Sequence, residues 1–309
     1  GVLLEQETSK KCYALQAKDK GKISGCSSGG VATVISGHII EQGGYVFGCR
    51  FNEAAELLFT ECSTEEELEA IKGSKYVQSD LSRCYPKIRK RLDNGEKVLV
   101  IGLPCQIAGV KGYLKKEYEN LFLIDLICHG VPPVAYFQEH LQKYSKTGFQ
   151  KIQFRSKGGF VLTLFDRSGQ EIYAARARRD EYYYGFLQGL IYRENCYRCP
   201  YAAIKRVSDI TIGDFWGLDK TTLKHDYDGP ISVGLINTEK GRALFEQIKD
   251  SFICEERTLT EAVSGNDQLK SPMRPDEEDR KIFCEYYPKL GYDGAFRKTK
   301  AYKQTEKKS

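Results

Sequence analysis

No stretch of this 309-residue chain approaches the roughly 18 consecutive apolar residues of a membrane-spanning helix. The first residues, Gly1 to Lys10, lack the basic-then-apolar pattern of a secretory signal, which points to a cytoplasmic protein. An initiator methionine is also missing, so a processed or truncated piece, with an N-terminal module lost, is one expectation. There is no zinc-finger spacing, recognition helix or RNA-binding aromatic signature. The net charge is only +5, and much of the excess sits in the stretch Arg297 to Lys308, which reads as a solvated basic tail. No nucleic-acid partner is therefore expected. A Walker loop, a complete dinucleotide fingerprint and internal repeats are all absent. What remains is a globular chain long enough for two modest domains or one large α/β unit.

Cysteine, by contrast, is plentiful. There are eleven, an odd number, and without secretion signals they do not suggest a disulfide framework. In a reducing compartment they serve as small buried hydrophobes or as metal and redox groups. Sorting them requires the order of elements. Cys12 to Ala17 reads as a strand. The small-residue loop Ser24 to Gly30 then opens a helix with apolar positions at Val31, Val34, Ile35 and Ile39. Such a loop suits an anion, because free backbone N–H groups and the helix dipole point the same way. A plain N-cap by Ser27 or Ser28 is the competing reading. Strands follow at Tyr45 to Phe51 and Leu57 to Thr60. The polar loop Gly73 to Ser79 is either a connector or a cofactor contact, with Lys75 for charge and Tyr76 for stacking. A helix is expected from about Asp80 to Leu92, with Pro86 disturbing its middle.

Two strand–loop–helix units come next. Lys97 to Gly102 runs into Leu103-Pro104-Cys105-Gln106, and Leu121 to Ile127 runs into Cys128-His129-Gly130-Val131-Pro132. Cys105 and Cys128 thus occupy equivalent points, where open α/β sheets place their chemistry. The helix N-terminus at Cys105 favours a thiolate. From Gln150 the pattern changes to alternating strands, Ile152 to Arg155, Phe160 to Phe165 and Glu171 to Tyr173, which suggests an antiparallel subdomain. Cys196 and Cys199 then form a C-x-x-C pair followed by Pro200, a strand Ile210 to Asp214, and Phe215-Trp216-Gly217. A strand Ile231 to Asn237, a helix Thr238 to Asp250 and a helical, irregular extension complete the chain. The expected fold is α/β, a largely parallel sheet with flanking helices, an inserted antiparallel β subdomain and a helical C-terminal extension. The corresponding regions are 1–149, 150–237 and 238–309.

Cys105, Cys128, Cys196 and Cys199 lie in loops that can line one site. Cys12, Cys49, Cys62, Cys84, Cys254 and Cys284 read as core fillers, and Cys26 is ambiguous. Four thiolates suit zinc or a [4Fe–4S] cluster. Structural zinc usually uses two local pairs, whereas here one pair joins two isolated cysteines. Proline after the last cysteine also recurs around iron–sulfur ligands, so iron–sulfur is favoured and zinc is the alternative.

Taken together, Ser27-Ser28-Gly29-Gly30, Gly73-Ser74-Lys75-Tyr76, Gly102-Leu103-Pro104-Cys105-Gln106, Cys128-His129-Gly130-Val131-Pro132, Cys196-Tyr197-Arg198-Cys199 and Asp209 to Gly217 resemble, in order, the motifs of the coenzyme F420 hydrogenase/dehydrogenase beta-subunit family. The resemblance covers most of the chain, from about Cys12 to Trp216. It implies an iron–sulfur flavoprotein oxidoreductase that passes electrons between a [4Fe–4S] cluster, FAD and a soluble redox partner or small-molecule substrate, the deazaflavin coenzyme or another. It implies that Cys105, Cys128, Cys196 and Cys199 hold the cluster, and that region 1–149 binds FAD through Ser27, Ser28, Gly29, Gly30, Lys75 and Tyr76. Lys75 would stabilise reduced flavin, and Asp214 would bind a ribityl or ribose hydroxyl, against a helix-cap or turn role. His129 would relay a proton or hydrogen-bond the cluster, against a plain turn-capping role. Trp216 reads as core, and Arg155 and Arg193 either fasten phosphate or substrate or are surface residues. The clustered C-x-x-C-x-x-C segment of many relatives is not found, so either it was removed or a separate ferredoxin delivers electrons. The chain would act alone, as a homo-oligomer or as one subunit of a complex, including a non-catalytic electron-transfer subunit.

Overall fold

The structure is a computed structural model that describes residues 11–144, 148–156 and 159–306. The Gly1 to Lys10 segment and the end of the basic tail from Lys307 lie outside the described residues. Among those described, nine strands form one mixed sheet. In spatial order they are Phe252–Arg257 (β12), Lys11–Ala17 (β1), Ser232–Ile236 (β11), Ile210–Asp214 (β10), Leu121–Leu126 (β6), Val98–Gly102 (β5), Tyr45–Phe51 (β2), Leu57–Cys62 (β3) and Ser79–Asp80 (β4). The central block β10-β6-β5-β2 is parallel throughout. β1, β11 and β12 join it by antiparallel pairing.

The parallel centre follows from the sequence. Val98-Leu99-Val100 and Leu121 to Ile124 are near-continuous apolar runs, which strands need when both faces are covered. Successive side chains alternate between faces. Leu99 and Ile124 join Ile35 and Ile39 of helix α1 (Val31–Glu41), while Val98, Val100 and Leu123 meet Ile88 of α2 (Tyr85–Asp93) and Ile107 and Val110 of α3 (Pro104–Leu114). Full burial of each such side chain is worth about 1.5–3 kcal/mol. The expected helix from Asp80 in fact begins at Tyr85, because Pro86 fits the first turn, where its missing N–H costs nothing.

The segment after Ser251, expected to be helical and irregular, opens instead with β12 against β1. Its sequence Phe252-Ile-Cys-Glu-Glu-Arg hid the strand, since Glu255 points inward. That carboxylate is satisfied by the backbone N–H groups of Lys224 and His225.

A second sheet, Lys151–Ser156 (β7), Gly159–Phe165 (β8) and Glu171–Arg176 (β9), is antiparallel as expected. It shares an aromatic core with helices α4 (Val134–Leu141), α5 (Glu181–Leu187) and the C-terminal helix Glu277–Phe296, which is interrupted at Gly291. Phe137, Phe154, Tyr182, Tyr183 and Tyr292 are fully buried there. The hydroxyls of Tyr182 and Tyr183 donate to the carbonyls of Tyr76 and Phe154, which removes the cost of burying them.

One ion network crosses this core. His140 of α4 lies 2.9 Å from Asp180, with both side chains sealed from solvent, and 3.4 Å from Asp293. Burial opposes the charged imidazolium, but the attraction and hydrogen bonds of Asp180 and Asp293 outweigh it and push the His140 pKa up to about 9. A group raised in the folded state stabilises fully below its unfolded pKa, and that stability is lost as pH rises through about 9. Wild-type protein should therefore lose about 3 kcal/mol between pH 6.5 and 9.5 that His140→Gln does not lose. Urea midpoints measured across that window check this. Parallel declines in the two proteins would refute it.

Candidate cofactor site

The C-terminal ends of β2, β5, β6 and β10 open into one cavity of about 280 Å³. Its lining runs from Cys26, Ser27, Ser28 and Gly30, past Ser74, Lys75 and Tyr76, to Cys128, His129, Arg155, Asp214 and Trp216. This is the end of an open α/β sheet where ligands bind.

At one side of the cavity stands the N-terminus of α1. Gly30, with φ of 81°, turns the chain into the helix, and no side chain caps it. The N–H groups of Val31, Ala32 and Thr33 have no acceptor among the described residues, and all three residues line the cavity. Ser27 and Ser28 do not cap. The Ser27 hydroxyl accepts from the Ser74 N–H at 2.6 Å, tying this loop to the Lys75 loop, and Ser28 pairs with Ser232 on β11. Gly29 threads between β1 and β11, where a Cβ would sit 2.4 Å from the Leu15 carbonyl oxygen. Any side chain would push the loop off the sheet. The arrangement leaves free donors and a helix dipole facing the cavity, which suits a phosphate or pyrophosphate.

Lys75 and Tyr76 differ from the sequence expectation in detail. The Lys75 ammonium donates to the carbonyls of Ile71, Lys72 and Gly73 at 2.8–3.0 Å, so its three donors are already engaged. Burial pulls its pKa down. It braces the loop from behind and offers the cavity no free donor. Tyr76 stacks on Phe186 at 4.4 Å, and its hydroxyl accepts from Arg155 Nε at 2.8 Å. Arg155 Nη2 reaches Asp214 at 2.7 Å. His129 lines the same cavity with its pKa lowered by burial, partly offset by Asp214, and is neutral at pH 7.

The four cysteines come from three segments. β5 and β6 are parallel neighbours in register from Val98↔Leu121 to Gly102↔Asp125, so Cys105 and Cys128 leave the same sheet edge. Gln106 fixes the first turn of α3, because its Oε1 accepts from the Leu103 N–H at 2.9 Å and its Nε2 donates to Ser79. Gly130 lies so close to the Tyr192 ring that a Cβ would be 2.4 Å away. That contact, with Arg193 N–H donating to the Val131 carbonyl, sets the Cys196–Cys199 turn against the Cys128 loop.

The thiols lie near enough to affect one another. Burial, and then the other three cysteines, push the Cys128 pKa up to about 12. Burial, Cys199 and Cys196 raise that of Cys105, so the expected helix-favoured thiolate is overridden. Yet no three of these sulfurs fall within 4.8 Å of one another, a closeness reached among the described residues by His140, Glu181 and Asp293. Those three are already joined in the ion network around Asp180 and Lys143. Cys105 is exposed, Cys128 borders the cavity, and the set therefore stands between solvent and the cavity.

The other cysteines divide. Cys12, Cys62 and Cys84 are buried fillers as expected. Cys284 is exposed on the C-terminal helix, and Cys49 borders the cavity, so neither is a plain filler. Trp216, read as core, is 40% exposed.

Sequence reasoning missed Arg206. Its guanidinium is sealed from solvent and bonds Asp125 of β6 at 2.9 Å, the Thr211 hydroxyl, and the carbonyls of Tyr201, Ala203 and Leu126. It pins the chain after Cys199 to the strand that leads to Cys128. The signal was an aspartate inside the apolar strand Leu-Phe-Leu-Ile-Asp-Leu, which demands a buried cation.

Residues 95–262 match the family model for the C-terminal part of the coenzyme F420 hydrogenase/dehydrogenase beta chain. The matched stretch, over half of the chain, contains all four cysteines, His129, Arg155 and Asp214. The chain belongs to the coenzyme F420 hydrogenase/dehydrogenase beta-subunit family, and its role is oxidoreductase-related. A solved structure of the F420-reducing [NiFe] hydrogenase complex from Methanosarcina barkeri contains a chain of similar fold, with a TM-score of 0.53 at 16% identity, covering 93% of this chain and 90% of that one. A search of curated proteins found no match. No helix among the described residues is long and apolar enough to cross a membrane.

Proposed function

We propose that this chain is an iron–sulfur flavoprotein oxidoreductase that passes electrons between a [4Fe–4S] cluster, FAD and a redox partner or small-molecule substrate. One observation carries the reading: four thiols from three separate segments gather beside a cavity whose other side is an uncapped helix N-terminus. The donor set fits a cluster better than a lone zinc ion. Tetrahedral zinc with Zn–S near 2.3 Å needs four sulfurs about 3.8 Å apart, closer than these thiols come as a set. A cluster spans a wider gap and uses four cysteines. When bound, the two groups would couple one-electron to two-electron chemistry.

The chain's residues have distinct parts in this reading. Cys105, Cys128, Cys196 and Cys199 hold the cluster, and the raised pKa values of Cys105, Cys128 and Cys196 mean that binding it releases protons. Ser27, Ser28, Gly29 and Gly30 shape the loop that presents the α1 N–H groups to the FAD phosphates. Lys75 braces its loop through the Ile71, Lys72 and Gly73 carbonyls, Tyr76 walls the cavity, and Asp214 orients Arg155. His129, neutral and facing the cavity, is placed to hold or pass a proton. The partner is a ferredoxin-like carrier or, as the hydrogenase-complex neighbour suggests, companion subunits.

Anaerobic reconstitution followed by iron, sulfide and flavin analysis tests the reading. Iron near four per chain with one flavin is expected. Stoichiometric zinc without flavin would overturn it.

A further inference from the structure

A second cavity, of about 340 Å³, lies at the opposite edge of the sheet from the cofactor site. The start of β6, the residues just before β10 and the C-terminal end of α3 border it. Four lysines line it, Lys111, Lys115, Lys116 and Lys240, and among the described residues no arginine does. Two carboxylates share the lining, Glu117 and Asp209. Asp209 is buried and already engaged. One of its oxygens accepts from the Leu123 N–H at 2.9 Å, and the other from the Thr238 hydroxyl at 2.7 Å. Glu117 is 83% exposed and no nearer to Lys111 than 4.0 Å. Lys116 lies 3.4 Å from Asp93, and Lys240 Nζ donates to the Tyr118 carbonyl at 3.2 Å. Thr238 caps the neighbouring helix Glu239–Ile248, so the lysines rather than a helix end supply the positive field. Lys115 stands out. Its ammonium has no partner among the described residues, and its backbone closes α3 with φ of 58°. Glycine is the usual residue in that left-handed position, because a side chain there strains the backbone.

We propose that this cavity is a second ligand site, for a compact multivalent oxyanion of the pyrophosphate class, held by Lys111, Lys115, Lys116 and Lys240. Ammonium groups act as point charges and suit phosphate, whereas a planar carboxylate is matched by the arginine fork that this lining lacks. A concave site with four cations and one free carboxylate concentrates such an anion. Lysine in place of glycine at position 115 puts an unpaired ammonium at the cavity at the expense of backbone strain, a compromise that belongs to functional sites. The site is separate from the α1 terminus assigned to the FAD phosphates, and it does not rest on that assignment.

Calorimetric titration of the FAD-loaded chain with magnesium-free pyrophosphate tests this. Wild type should bind one equivalent without releasing FAD, and added salt should weaken the binding. Lys115→Gly and Lys240→Gln should each weaken it about fivefold, and the double variant about twentyfold. Lys115→Arg should keep most of the affinity. Lys289→Gln, which alters an exposed lysine of the C-terminal helix, should change nothing. Lys115→Gly should also raise the urea midpoint, since glycine relieves the strain; a side chain kept for the fold would give the opposite sign. ADP titrated alongside identifies the source of the phosphates: equal affinity supports a free anion in this site, and tighter ADP supports a nucleotide in it. Wild-type affinity in the double variant would overturn the proposal, as would one-for-one displacement of FAD, a lower urea midpoint in Lys115→Gly, or no binding by wild type. If the chain takes up no FAD the proposed function falls, whereas the lysine variants of the flavin-free chain still decide this site.

Discussion

Cys128→Ser, reconstituted anaerobically beside the wild type, should retain less than about a tenth of the iron, with its visible charge-transfer absorption lost to match. Of the four cysteines, Cys128 should show the largest effect. Its thiol is pushed up to about 12, which means that the free protein holds it as a half-buried neutral group among other sulfurs. Only a multivalent cation repays its deprotonation. It also sits on a loop fixed at both ends, by β6 before it and by the Gly130–Tyr192 contact after it, so no neighbour can swing in as a substitute. Cys105 is exposed, and a serine or solvent ligand there should leave a labile, partly filled site. Circular dichroism should show both variants folded. Full iron in Cys128→Ser would remove that residue from the ligand set.

Arg206→Ala should cost about 3–5 kcal/mol of stability, because removing one member of a buried pair strands the other charge. Asp125 has no other cation in reach among the described residues, and its second carboxylate oxygen already lacks a hydrogen-bond partner there. The loss should show as a lower urea midpoint with an unchanged slope. Asp125→Asn combined with Arg206→Met removes both charges, and should recover much of the loss. The double variant should still bind iron poorly, since nothing would tie the Tyr201–Ala203 carbonyls to β6. A neutral Arg206→Ala would mean that water reaches Asp125.

The elements that carry this site were legible because their apolar runs are long and their loops small-residue rich. Val98 to Gly102 and Leu121 to Leu126 announced a buried parallel pair, and the cysteines at their ends followed. What stayed hidden was settled by contacts between distant segments. Lys75 looked like a free cation until three carbonyls from its own loop surrounded it. Trp216 looked like core because no local pattern distinguishes a rim indole from a buried one. Arg206 lies 81 residues from Asp125 in sequence, beyond any periodicity. β12 was obscured by an inward glutamate whose partners lie 30 and 31 residues away.

The position of β1 also has a bearing on how the molecule assembles. This strand, near the start of the described chain, is sandwiched between β11 and β12, which come more than 200 residues later. The loop that follows it takes its shape from Ser232 on β11, through the Gly29 N–H and the Ser28 hydroxyl. During synthesis β1 emerges more than 200 residues before either strand that flanks it, with only the helix that follows close in sequence to pack against. Such distant pairings form slowly. The helix α1 terminus therefore acquires its final setting only once β11 has been made and has paired with β1.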